Sequence, residues 1–259
     1  MIDVHNHLQQ FDRPDLVVET MKRAGITGCV VNGTTEADWE TVSSLAQRHP
    51  GFIRPAFGLH PWYLSQRTPG WLDSLRRFLD LHPEASVGEC GVDGWMDGVT
   101  WDEQIDILLP HLAIAREREL PITLHALKAW PALEQALQAE APPSSGFLLH
   151  SFGGSPQQAR QWAKMGAFFS FSGYFLHARK AKVLESYRHI PTDRLLLETD
   201  APSMTPPTEW ITHPLPESRN HPANLPAVAS GLARCLDLPC SDLIALCDRN
   251  ATRFFGTIG

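Results

Sequence analysis

The sequence predicts an α/β protein, a single (β/α)₈ TIM barrel that takes up residues 1–259. Three observations carry this. The length of 259 residues suits one large barrel domain. Short apolar runs alternate with amphipathic stretches until eight strands are counted, which favours a closed parallel barrel over an open sheet. Neither G-x-G-x-x-G nor G-x-x-x-x-G-K-[ST] occurs, although a doubly wound open sheet would carry such a turn after an early strand.

Taken in order, the first strand is Ile2–Val4, and the helical pattern Leu16–Ala24 follows it. Gly28–Val31 is the second strand, with the helix Trp39–Arg48 behind it, and Arg54–Leu59 is the third, followed by Trp71–Leu81. In each helix, apolar residues recur at spacings of three and four, the period of one buried face. Ala85–Gly88 is the fourth strand and leads to Asp102–Arg118; Pro121–Leu124 is the fifth and leads to Trp130–Ala139. Phe147–Leu149, Ala167–Phe171 and Leu195–Leu197 complete the set. The proline-rich breaks at Ala141–Ser145 and Ala201–Pro216 read as loops within the domain, and helices at Ala223–Leu236 and Ser241–Cys247 close the chain.

Composition narrows the function. Hydrophobic residues make up 43% and charged residues 20%, ordinary values that predict order along nearly the whole chain. No apolar run approaches the roughly 20 residues of a membrane helix, and the start lacks a signal-peptide pattern, so the expected location is cytoplasmic. The five cysteines form no C-x-x-C pair, which argues against a disulfide framework and a cysteine zinc site. Cys90 is expected to be an inert, buried strand thiol. A net charge of -7 speaks against a non-specific DNA coat, which needs a basic face. It does not exclude a nucleic-acid enzyme, because bound divalent cations reverse the local sign at their own site.

The strongest functional signal is positional. His5 and His7 stand just past the first predicted strand, His60 the third, Glu89 the fourth, His125 the fifth, His150 the sixth and Asp200 the eighth. C-terminal strand ends of a barrel converge on one mouth, so these residues become neighbours. Imidazole and carboxylate together suit zinc, manganese or a similar divalent ion, and a carboxylate can bridge two. In His5-Asn6-His7 the strand alternation points both imidazoles to one side. By contrast His49, His82, His111 and His189 sit on helical segments and read as surface or core residues. Asp93 is a candidate further ligand but is expected rather to tie down its own loop, and Glu198 either orients a ligand or pairs with a basic group in the core. Trp62, Trp95 and Trp210 fall on loops at the active face, whereas Trp39, Trp71, Trp101, Trp130 and Trp162 are expected to pack on helices. The turn Ser151–Ser155 enters a helix: Ser151 and Gly153 are candidate anion contacts, and the plainer reading is a tight turn with Ser155 as N-cap.

In order, these residues resemble the TatD family of metal-dependent hydrolases, within the amidohydrolase group. The resemblance runs from Ile2 to Gly256. It rests on Asp3-Val4-His5-Asn6-His7-Leu8, Gly58-Leu59-His60-Pro61, Val87-Gly88-Glu89-Cys90-Gly91-Val92-Asp93, Leu120-Pro121-Ile122-Thr123-Leu124-His125, His150-Ser151-Phe152-Gly153-Gly154 and Leu195-Leu196-Leu197-Glu198-Thr199-Asp200-Ala201-Pro202. Arg219-Asn220, Pro222, Asn224, Asn250 and Phe254-Phe255-Gly256 extend it. It implies two divalent ions (zinc, magnesium or manganese). His5, His7 and Asp200 would hold one, His125 and His150 the second, with Glu89 bridging and His60 positioning substrate. It implies DNA as substrate, as a single strand or at a 3′ end, since members act as deoxyribonucleases and a few as D-aminoacyl-tRNA deacylases. Two positions depart from the family: Leu127, with Lys128 beside it, where a basic residue is usual, and His221 where glutamate is usual.

Paired divalent ions lower the pKa of a shared water toward about 7, and Asp200 is placed to take its proton as general base. The leading expectation is a DNA phosphodiesterase. An ester or amide hydrolase, such as a D-aminoacyl-tRNA deacylase or a small-molecule lactonase, is the alternative, because one metal centre serves both reactions. A metal-holding protein without turnover is a third reading, against which the intact ligand set stands.

Overall fold

The structure is a computed structural model that describes residues 1–258; Gly259, counted in the domain above, lies outside the described residues. Eight strands, β1 (Ile2–Asn6), β2 (Gly28–Asn32), β3 (Ile53–Phe57), β4 (Ser86–Asp93), β5 (Ile122–Leu127), β6 (Phe147–Leu149), β7 (Ala167–Ser172) and β8 (Leu195–Glu198), pair parallel in chain order. The two ends of the sheet meet just above β8. There the Asp200 N–H donates to the His5 carbonyl at 2.9 Å and the His7 N–H to the Ala201 carbonyl at 2.8 Å. Below them the buried Asp3 carboxylate accepts from the Thr199 N–H at 2.9 Å and the Thr199 hydroxyl at 2.6 Å. Barrel closure and the positioning of His5, His7 and Asp200 are therefore the same set of bonds.

The strands divide their side chains by alternation. Val30, Ala56, Leu148, Phe168 and Leu196 form an inner cluster with Ile2 and Val4, while their neighbours Val31, Phe57, Leu149, Phe169 and Leu197 pack outward against the helices. The helices are α1 (Pro14–Arg23), α2 (Glu36–Arg48), α3 (Trp71–Leu81), α4 (Trp101–Glu117), α5 (Trp130–Ala139), α6 (Pro156–Lys164), α7 (Ala181–Tyr187), α8 (Leu225–Leu236) and α9 (Cys240–Phe255). Capping boxes start three of them, with Thr35 before α2, Thr100 before α4 and Ser155 before α6, so the plainer expectation for Ser155 holds. Ala251, Phe254 and Phe255 of α9, with Ile258, belong to the inner cluster and plug the far end of the barrel. Asn250 fixes that plug by donating to the Thr192 and Leu195 carbonyls, both at 2.8 Å.

Several boundaries differ from expectation. His5, Glu89 and His125 lie inside β1, β4 and β5, not past their ends, because the hydrogen-bonded ladder continues after the apolar run gives way to polar residues. The last helix runs on to Phe255 instead of ending at Cys247, since its apolar stripe resumes beyond the polar Asp248–Asn250 turn. The helices α6 and α7 fill the gaps after β6 and β7, where few apolar residues mark them in the sequence. Trp101 does not pack as expected: it opens α4 and is 44% exposed.

Candidate metal centre

Alternation places half of the site directly. With Leu148 and Leu196 pointing inward, His150 and Glu198 two residues later point inward as well, one layer nearer the mouth. Ser170 follows Phe168 by the same parity, and His125 alternates with the outward Leu124. His5 and Glu89 break it. Val4 faces in, so strict alternation would turn His5 out, yet pairing with β2 shifts register between Asp3 and Asn6 and His5 joins the cluster. In β4 both Val87 and Cys90 face out, which needs an extra residue between them; the register shifts there and turns Glu89 inward. These irregularities act as β-bulges do, re-aiming one side chain at a site.

Glu89 is the centre of the arrangement and is 2% exposed. Its Oε1 lies 2.7 Å from His150 Nε2, 3.0 Å from His125 Nδ1 and 3.2 Å from His60 Nε2. Its Oε2 lies 3.2 Å from His5 Nε2 and 3.4 Å from His7 Nε2. Asp200 Oδ1 closes the second side, 3.5 Å from His5 Nε2 and 3.3 Å from His7 Nε2. His5, His7 and Asp200 form one group whose ligand atoms lie within 4.8 Å of one another; His5, His150 and Glu198, and His60, Glu89 and His125, form two more. The donor set can hold divalent cations. Both ring nitrogens of the fully buried His5 lack a hydrogen-bond partner, a cost in free energy that a bound cation at Nε2 would offset.

Outer partners fix which nitrogen faces the centre. His7 Nδ1 donates to the Asn32 carbonyl at 2.8 Å, which turns Nε2 toward Glu89 and Asp200 as the nitrogen a cation would bind in place of its proton. His125 Nε2 donates to Asp93 Oδ2 at 2.9 Å, leaving Nδ1 inward. His150 Nδ1 lies 3.7 Å from Glu198 Oε1, beyond hydrogen-bond reach, and Glu198 accepts instead from the Ser151 and Ser170 hydroxyls. His60 is set the other way. Its Nδ1 accepts the Trp62 N–H at 3.1 Å, so its Nε2 carries the proton and donates to Glu89. Burial lowers His60 to about 4, against the pull of Glu89, and so keeps that tautomer neutral. For His7 burial acts downward too, but the bonds to Asp200 and Glu89 outweigh it and raise it to about 10. Burial opposes ionisation of Glu89, yet His150, His60 and His5 hold it well below the usual carboxylate range. Asp200 is lowered in the same sense, burial again yielding to the His7 bond.

This constellation on this barrel has known relatives. The family described as TatD related DNase matches residues 2–256. The chain belongs to the TatD family. The 3'-5' ssDNA/RNA exonuclease TatD of Pantoea sp. (strain At-9b) is 32% identical over 241 residues, 92% of each chain. An uncharacterized metal-dependent hydrolase of Bacillus subtilis (strain 168), YabD, is 30% identical over 260 residues, 98% of each chain. The crystal structure of the TatD homolog YjjV from Escherichia coli superposes with a TM-score of 0.89 at 26% identity, covering 98% of this chain and 97% of that one. The barrel expected from the sequence is thus also the TatD fold.

Within this TatD barrel, His5, His7, His60, Glu89, His125, His150 and Asp200 come together, as the sequence positions suggest. The Ser151 hydroxyl donates to Glu198, so an anion contact at this turn would fall to the backbone N–H groups of Ser151 and Gly153. Asp93 ties its loop as expected, accepting the Trp95 N–H at 2.7 Å, and it also orients His125, a role that sequence reasoning missed. Asp3 was missed entirely as a seam residue; its burial raises it to about 7, against the Thr199 hydrogen bonds. Cys90 is buried and its thiol is pushed well above the ordinary range, in keeping with an inert role. At His221, Nδ1 accepts the Ala223 N–H at 3.0 Å, and burial with nearby His213 lowers it to about 4, so the ring is neutral.

Proposed function

We propose that the chain is a metal-dependent nuclease that hydrolyses phosphodiester bonds in single-stranded DNA, working from an end. The observation that carries this reading is the division of Glu89: one oxygen faces His125 and His150, the other faces His5 and His7 beside Asp200. That arrangement suits two divalent ions, His5, His7 and Asp200 holding one, His125 and His150 the other, and Glu89 bridging. Two bound ions would supply the Lewis acidity that makes water a nucleophile at neutral pH and would offset charge on the attacked phosphoryl oxygen. The remaining work falls to side chains. Asp200, held as a carboxylate, accepts the proton of the attacking water. His60 keeps Nε2–H aimed at the same side of Glu89 and offers that donor to a phosphate oxygen. Asp93 holds the ring of His125 in orientation, and the Glu198 carboxylate lies beside His150 Nδ1. DNA as the substrate is supported by the relatives named exonucleases.

The test uses end-labelled single-stranded oligonucleotides with metal-supplied protein, and Glu89→Ala protein from the same preparation controls for contaminating nuclease. Cleavage that requires Glu89 is expected. Equal cleavage by both proteins, with lactone or aminoacyl-ester hydrolysis that depends on Glu89, would replace the nuclease with a carbonyl hydrolase.

A further inference from the structure

Two large exposed side chains stand beside the cluster, Trp62 at 50% and Trp95 at 60% exposure. Singly scattered apolar residues such as Leu16 and Leu238 need no explanation, but these two indoles share one anchor. Trp62 Nε1 donates to Asp93 Oδ2 at 2.7 Å, and the Trp95 backbone N–H donates to Asp93 Oδ1 at 2.7 Å. The same Asp93 Oδ2 accepts from His125 Nε2 at 2.9 Å. One buried carboxylate therefore fixes the Trp62 ring and the backbone that carries Trp95 relative to a residue of the candidate centre. The Trp62 ring also meets His60 edge-on, with centroids 5.4 Å apart.

Lys128 completes the group. Its Nζ lies 4.6 Å from the centroid of the Trp95 ring, a cation–π distance. The contact is built into the backbone: the Gly94 N–H donates to the Leu127 carbonyl at 2.7 Å, and a Cβ at Gly94 would stand 2.6 Å from the Lys128 carbonyl oxygen. The loop after β4 is thus pressed against the end of β5, and Trp95 is held under the ammonium.

We propose that Trp62, Trp95 and Lys128 form a nucleobase-stacking platform that seats the unpaired bases of a single strand next to the cluster, with Lys128 against the strand's phosphate. Rigid indoles with one open face suit unpaired bases of any identity, since every base has a π-face, and a neighbouring cation tracks the backbone. A duplex keeps its bases stacked inside and cannot use the platform, so the arrangement selects single strands. This inference rests on the nuclease reading and deepens it.

The test compares two labelled strands with nuclease-resistant phosphorothioate linkages, a short oligothymidylate and an abasic strand of the same length. Binding to the metal-supplied protein is followed by fluorescence anisotropy. The wild type is expected to favour the base-bearing strand by about five- to 100-fold, the scale of aromatic stacking. In Trp95→Ala that ratio falls toward one, while Trp95→Phe restores part of it; Asp93 keeps its Trp95 bond in both, because the donor is the backbone. Lys128→Gln weakens both strands alike and flattens the salt dependence. An unchanged ratio in Trp95→Ala, or no preference in the wild type, overturns the platform. Separately, Glu89-dependent cleavage of an ordinary strand alongside an unchanged ratio sinks the platform alone, whereas an intact ratio without such cleavage sinks the nuclease reading alone.

Discussion

His7 and His60 lie 3.4 and 3.2 Å from opposite oxygens of Glu89, yet backbone partners set them to opposite tasks. A carbonyl at Nδ1 leaves the Nε2 of His7 as the nitrogen that would give its lone pair to a cation, and an N–H at Nδ1 turns that of His60 into a fixed donor. Asp200 combines a ligand position with a base position, so Asp200→Asn keeps the volume and loses charge and basicity. Turnover should fall at least about 100-fold, the usual scale for a lost general base, with far-ultraviolet circular dichroism unchanged; retained turnover would move the base elsewhere. His111 illustrates a histidine with no part in the site. It is fully buried in α4, donates from Nδ1 to the Ile107 carbonyl at 2.7 Å, accepts the Leu59 N–H at 3.2 Å and stacks on Trp71. Burial lowers it from 6.5 to about 4. Because the folded value lies below the unfolded one, its contribution is fully present above about pH 6.5 and is lost as pH falls toward 4. The loss is worth about 3 kcal/mol. Denaturant titrations of wild type and His111→Gln between pH 7 and about 4 should show a shallower acid slope in the variant; parallel slopes would mean that His111 does not titrate this way.

At the scale of elements, the strands explain which parts of the site were legible in the sequence. Where the apolar alternation continues unbroken, as from Leu148 to His150 and from Leu196 to Glu198, inward placement follows from counting by two. His5 and Glu89 could not be placed by counting, because the register of β1 and β4 shifts at these residues and a bulge leaves no mark in hydropathy. The motif around Glu89, with glycines on both sides, was the one local hint. The ends of β1, β4 and β5 were drawn short for a related reason: polar ligands end the apolar signal before they end the ladder. The Asp93 network escaped because Trp62 and Asp93 are 31 positions apart and meet only through the packing of two loops. Gly91 is the element-level dependence most open to test. Its φ is 148°, and an added Cβ would lie 2.0 Å from the His125 carbonyl oxygen. Gly91→Ala must therefore push β5 away from β4 and move His125 with it. Expected outcomes are a loss of stability of about 1–3 kcal/mol, as for overpacking in a tight site, and weaker binding of divalent ions in isothermal calorimetry. Wild-type metal affinity in a destabilised Gly91→Ala protein would show that β5 yields without displacing His125.

Over the whole molecule, the candidate ligands are drawn from β1 and the residue after it, β4, β5, and the segments after β6 and β8, so they tie together chain positions from 5 to 200 across the barrel mouth. Two of those segments, β1 and the turn at Asp200, also form the seam, which among the described residues is joined by few backbone bonds. A cation held by His5, His7 and Asp200 would lock that seam from above, while Asp3 and Thr199 lock it from below. Ligand binding to the folded state alone stabilises it by about 2.7 kcal/mol when the free ligand stands at 100 times its dissociation constant. For a chain of this size each kcal/mol moves the midpoint by about 2–4 °C, so saturating divalent ion should raise Tm by about 5–10 °C. Chelator should reverse the rise, and Glu89→Ala should abolish most of it, since Glu89 contributes to both halves of the centre. Metal analysis under the same conditions should find more than one equivalent per chain, the two sites filling unequally because one has three unshared protein ligands and the other two. A Tm indifferent to every divalent ion, together with a stoichiometry of zero, would remove the metal centre and the mechanism built on it, while leaving the barrel and its seam as described.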